Sequence, residues 1–168
     1  SGPNTANPHA VPSDRVIEKG DFVLMDYGAG YCDYRSDMTR TVVMGEPTQE
    51  QLDLYALVRR THEECVAAIH PGVEGNDIFK LSKKIIGDAG YGDYYNHGLG
   101  HGVGIDIHEL PNFNRSKNTI EVGSVITMEP GVYLPGVGGV RLEDYGVVTE
   151  NGYEPFTKTP HDLHVIDC

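Results

Sequence analysis

The stretch EKGDFVLMDYGAGYCDYRSDMTRTVVMGEP, residues 18–47, decides how this chain folds. Two runs rich in β-branched, aromatic and other apolar residues, 22–29 and 34–44, are joined around Gly30 and Asp33 and read as the strands of an antiparallel hairpin. An acid interrupts each run: Asp26 follows four apolar residues, and Asp37 lies eleven residues on. A carboxylate in such a place is either at the exposed end of its strand or turned inward and balanced by a cation. A turn near Tyr31 and Cys32 sets Asp26 opposite Asp37. Cross-strand Cβ atoms are about 5 Å apart, so the two carboxylates repel unless a metal or a shared proton lies between them.

Outward from the hairpin, Pro47 and Thr48 with Gln51 at the capping-box spacing start a helix. Its apolar residues Leu52, Tyr55, Ala56, Val66, Ala67 and Ile69 recur at helical spacing until Pro71-Gly72 stops it. A second helix is expected over 77–88, with Ile78, Leu81, Ile85 and Ile86 on one face and Gly90 at its end. SVITMEPGVYL (124–134) and GGVRLEDYGVVTENGYE (138–154) are β-like and reverse at PGVGG. The class is α+β, with helices packed on one face of a strongly curved antiparallel sheet.

Length and charge narrow the function. A chain of 168 residues fits one domain and buries about 70% of its unfolded surface. The net charge of −12 argues against nucleic acid and leaves carboxylates available for cations. No apolar run approaches a membrane span and no signal pattern opens the chain, so a cytoplasmic, non-membrane protein is expected. Cys32, Cys65 and Cys168, odd in number and without C-x-x-C, read as reduced thiols.

Glu129 and Glu143 repeat the pattern of Asp26 and Asp37, each an acid interrupting an apolar run, fourteen residues apart. Between the hairpins lies NHGLGHGVGIDIHE, residues 96–109, with His97, His101 and His108 among glycines. These histidines read as metal ligands, as acid–base groups, or as polar residues on a turn. Four carboxylates with at least one histidine form an oxygen-rich ligand set suited to manganese first, with cobalt, iron or zinc as alternatives. Gly98, Gly100, Gly102 and Gly104 suggest close backbone approach to a metal or peptide and positive φ where needed. Neither H-E-x-x-H nor a phosphate-binding Gly-Lys-Ser/Thr pattern is present, and His62, His70, His161 and His164 read as surface residues.

Taken together, HAVPSDRVIEKGDFVLMDYGAGYCDYRSDMTRT, HGLGHGVGIDIHE, MEPGVYLPG and GVRLEDYGVVTENG resemble, in order, the signatures of the pita-bread metallopeptidases, and within them the Xaa-Pro branch of aminopeptidase P and prolidase. The resemblance implies two divalent ions: Asp26 on one, His101 and Glu129 on the other, Asp37 and Glu143 bridging. It implies that Glu129 handles the proton of the attacking water and that His9, His97 and His108 line the substrate site. Arg141 matches an arginine near the substrate's carboxyl end or in the ligand network, and Thr39 a position beside Asp37. The implied substrate is a peptide or dipeptide with proline second, and the implied parent is a homodimer. Residues 1–168 are then a single catalytic-domain segment, incomplete at the N-terminus. Two other readings are a non-catalytic pita-bread peptide-binding module or inactive fragment, and a metal-free enzyme of the creatine amidinohydrolase kind. Both predict lost ligand residues, and none of the five is missing.

Overall fold

The computed structural model describes residues 1–115 and 117–167, so Cys168 lies outside the described residues. A 3-10 turn, Gly2–Ala6, precedes β1 (Phe22–Tyr27), β2 (Gly30–Tyr31), β3 (Tyr34–Arg35) and β4 (Met38–Met44). Helices α1 (Gln49–Ala67) and α2 (Gly75–Asp88) follow. After a second 3-10 turn, Gly92–Tyr94, come β5 (Gly100–Gly102), β6 (Glu109–Phe113), β7 (Val125–Met128) and β8 (Gly131–Leu134). The chain continues through β9 (Gly138–Arg141), β10 (Asp144–Thr149), β11 (Gly152–Pro155) and β12 (Val165–Ile166).

The larger sheet has the order β11-β10-β7-β5-β6 and a smaller one the order β1-β4-β12. Pairing is antiparallel except for β12, which runs parallel to β4. Helix α1 contacts β7, β8, β9 and β11, and α2 contacts β6. One core joins them, including Phe22, Val43, Leu54, Val58, Ile86, Leu99, Phe113, Ile126, Met128 and Leu142.

The capping box forms as expected: Thr48 Oγ1 accepts from the Gln51 N–H, and Gln51 Oε1 accepts from the Thr48 N–H. The buried face of α1, however, is Gln51, Leu54, Tyr55, Leu57, Val58, Thr61, His62 and Cys65. Leu52, Ala56 and Ala67 point outward. Three buried polar residues, Gln51, Thr61 and His62, complete the inner face, which a purely apolar count passes over. Helix α2 begins two residues before the expected Asp77, at Gly75, where a Cβ would stand 2.7 Å from the Asn112 carbonyl.

The hairpin turns one residue later than expected. Cys32 and Asp33 both take positive φ, 48° and 68°, the conformation of a tight two-residue turn. The shift sets Asp26 opposite Thr39 and leaves Asp37 diagonal to Asp26 instead of facing it. The long β runs are also broken. Pro130 lacks an N–H for a ladder, and at Glu129-Pro130 the chain leaves the larger sheet to form the β8–β9 hairpin; at Leu142-Glu143 it returns. A third break, at Ser36-Asp37, separates β3 from β4. Thr39 and Glu143 bridge the two regions through reciprocal backbone hydrogen bonds.

Candidate metal centre

Three of the expected ligands sit in those breaks or beside them, and His101 comes from β5, an interior strand of the larger sheet between β7 and the edge strand β6. Gly100 and Gly102 flank it. None of Gly98, Gly100, Gly102 and Gly104 has positive φ, so the expected conformational role is absent. Their role is interstrand closeness: a Cβ on Gly100 would stand 2.2 Å from the Thr127 carbonyl oxygen, and one on Gly102 2.4 Å from that of Leu110. The glycines let β5 press between its neighbours, which puts the His101 ring at the sheet surface.

The tautomer of His101 follows from its partners. Nδ1 lies 3.0 Å from the Gly102 carbonyl, which can only accept, so Nδ1 carries the proton. Burial holds the imidazole below its ordinary pKa, hence neutral. The unprotonated Nε2 faces Glu129 Oε1 at 3.4 Å and Asp37 Oδ2 at 3.7 Å. A lone pair against two ionised carboxylates is repulsive; a proton on one of them or a cation among them makes the same geometry attractive. Ligand atoms of Asp37, His101 and Glu143 lie within 4.8 Å of one another.

The carboxylates carry the same signature. Burial, reinforced by Asp26, pushes Asp37 up to about 6. Burial also pushes Glu129 and Glu143 well above the carboxylate range, Glu143 further repelled by Glu129. Four acids here face one guanidinium, that of Arg141.

Arg141, 2% exposed, is fully committed inside the protein. It donates to Asp26 Oδ2 at 2.6 Å, Thr39 Oγ1 at 3.1 Å, Tyr133 Oη at 2.9 Å and the Pro8 carbonyl at 3.2 Å. These contacts place it beside Asp26, one of the expected ligands, while it also lines the cleft that the ligands share. Thr39 sits beside Glu143 instead of Asp37, donating to Oε2 at 2.6 Å. Tyr133 was not singled out in the sequence: its hydroxyl accepts from Arg141 and donates to His97 Nε2 at 2.8 Å, while His97 Nδ1 donates to the Gly98 carbonyl at 2.6 Å. A tyrosine within an apolar strand gives no signal of such a role.

All nine expected residues, Asp26, Asp37, Glu129, Glu143, Arg141, His9, His97, His101 and His108, line one cleft of about 520 Å³. The His101 and His108 rings meet edge to face, centroids 4.2 Å apart. A neighbouring cleft of about 600 Å³, walled mostly by residues from the N-terminal segment together with Val23 and Leu24, shares only His9, Asp26 and Arg141 with this set.

The pattern for metallopeptidase family M24 matches residues 1–150. The chain belongs to this family. Among M24 relatives, the Xaa-Pro dipeptidase of Pyrococcus furiosus is 46% identical over 97% of the chain and 47% of the relative. The prolidase of Pyrococcus horikoshii superposes with a TM-score of 0.94 at 43% identity, covering 96% of this chain and 47% of that one. The X-Pro aminopeptidase of Thermotoga maritima superposes at 0.95 with 36% identity, covering 98% and 47% respectively. The fold is therefore pita-bread, and the M24 chain spans about half the length of the relatives it matches. The M24 family implies divalent metal, and the donor set fits it. Among the described residues no helix is long and apolar enough to cross a membrane.

Proposed function

We propose that residues 1–168 are the ligand-bearing segment of a single catalytic domain that hydrolyses the bond between an N-terminal residue and a following proline. The observation that carries this reading is the neutral His101 Nε2 set among buried carboxylates, in a cleft that also holds three further histidines. Asp26 would hold one divalent ion, His101 and Glu129 another, and Asp37 and Glu143 both, with manganese the first choice for an oxygen-rich set. When bound, such ions polarise a carbonyl and make water a nucleophile near neutral pH.

The protein's own groups do the rest. Glu129 takes the proton of the attacking water and returns it to the departing proline nitrogen, a tertiary amide nitrogen with no proton of its own. His9, His97 and His108 form the wall that faces the peptide, and Tyr133 belongs to it by holding His97 Nε2. Arg141 fixes Asp26 and Thr39 fixes Glu143, so both carboxylates keep their direction.

Manganese content after dialysis, together with cleavage of alanyl-proline and of a longer Xaa-Pro peptide, tests the reading. The expected result is metal-dependent cleavage, with both metal and cleavage lost in Asp37→Ala. Metal retention without cleavage supports a second reading, a metal- and peptide-binding segment, favoured by the half-length match. Absence of metal from the unaltered chain would sink both.

A further inference from the structure

His62, expected on the surface, is 2% exposed on the inner face of α1. Neither of its ring nitrogens makes a hydrogen bond. Buried polar atoms are nearly always paired, so an unpartnered imidazole in the core asks what it faces. Its Nε2 lies 3.4 Å from Asp144 Oδ2. From the C-terminal segment, His161 Nε2 approaches the same oxygen at 2.6 Å. The two rings meet edge to face with centroids 4.9 Å apart. One nitrogen from each histidine and one oxygen of Asp144 all lie within 4.8 Å of one another.

We propose that His62, Asp144 and His161 form a second metal site, separate from the catalytic cluster, that binds zinc and fastens the C-terminal segment to α1 and β10. Asp144 follows Glu143, and successive residues of an extended chain point to opposite sides, so the two acids serve different centres. Two imidazoles and one carboxylate are a zinc-type donor set, with the fourth position left for water. His161, with 28% of its side chain exposed, marks the route from solvent. Arg40 donates to Asp144 Oδ1 at 2.7 Å, which orients the carboxylate and leaves Oδ2 to coordinate. The same arginine donates to the carbonyls of Thr159 and Pro160, and Tyr55 to that of His161, so the segment is already laid over the site. A zinc ion on Nε2 would satisfy one of the two orphaned nitrogens of His62.

Equilibrium dialysis of the chelator-stripped chain against zinc, with and without His161→Gln, tests the site. The expected result is that the half-buried His161→Gln lowers the zinc count by one per chain and that His62→Leu does the same. In an Asp37→Ala/His101→Ala background, where the catalytic cluster is disabled, one zinc should remain, and His161→Gln should remove it. Cobalt in that background should give the visible absorption of a four-coordinate ion. A zinc count that His161→Gln leaves unchanged in the unaltered chain overturns the proposal and makes the cluster a hydrogen-bonded Asp–His pair beside a core imidazole. Manganese-dependent cleavage tests only the cleft that holds Asp37 and His101, so the two readings fail separately.

Discussion

The Thr39 hydroxyl donates to Glu143 Oε2 at 2.6 Å and accepts from Arg141 Nε at 3.1 Å, so one oxygen fixes a proposed bridging ligand and the guanidinium that holds Asp26. Thr39→Val keeps the shape of the side chain and removes both bonds. Manganese affinity, followed by calorimetric titration, should fall about 10- to 100-fold, and Thr39→Ser should restore it; an unchanged affinity would remove Thr39 from the site. Tyr133→Phe should leave manganese binding within a few-fold and lower the cleavage rate by about tenfold or more, because it frees His97 rather than a ligand. Equal losses of both would contradict that division. At this scale the sequence was informative where chemistry conflicts with environment: an acid inside an apolar run announces itself, as Asp26, Asp37, Glu129 and Glu143 do. Tyr133 creates no conflict in a strand, and His62 sits on a helix whose inner face is partly polar, so neither stood out.

Strand β5 is only three residues long, yet it lies between β6 and β7 and presents His101. Its fit depends on Gly100, where any side chain must displace the Thr127 backbone. Gly100→Ala should cost about 1–3 kcal/mol in urea unfolding and should move His101 enough to weaken manganese binding. A variant as stable as the unaltered chain, with unchanged binding, would show that β5 can shift freely. The helices and the hairpins were legible as elements because capping and alternation are local signals: Thr48 and Gln51 cap α1 as read. The breaks were not, because a strand that changes sheets keeps its apolar pattern while its neighbours change. Glu129 and Glu143 were therefore placed on strands that in fact end beside them. The turn at Cys32 and Asp33 is hidden for a similar reason, since the two non-glycine residues with positive φ follow a glycine that would ordinarily take that role.

Across the whole molecule, the buried acids tie stability to pH and metal. Asp37 rises from 3.8 to about 6, and Glu129 and Glu143 move in the same direction. A carboxyl with a raised folded pKa keeps its proton more firmly in the folded chain. Its stabilisation is present at low pH and is lost as pH climbs from the unfolded value through the folded one, for Asp37 between 3.8 and about 6. Metal needs the deprotonated ligands and supplies the missing positive charge. The rise in melting temperature caused by manganese should thus be larger near pH 8 than near pH 5, by about 4 °C or more. Equal rises at both values would mean that the metal does not bind these acids.

The Arg141 side chain also sets an order of events. It reaches Asp26 across 115 positions of sequence and Pro8 across 133, while Thr39 meets Glu143 across 104. During synthesis the hairpin bearing Asp26 and Asp37 leaves the ribosome long before the strand that bears their arginine and the last glutamate. Asp26 lacks its arginine, and Asp37 its glutamate neighbour, until β9 and β10 arrive. On the proposed ligand set, metal loading would wait for those strands, and an ion supplied to the emerging chain would meet isolated carboxylates rather than a finished cage.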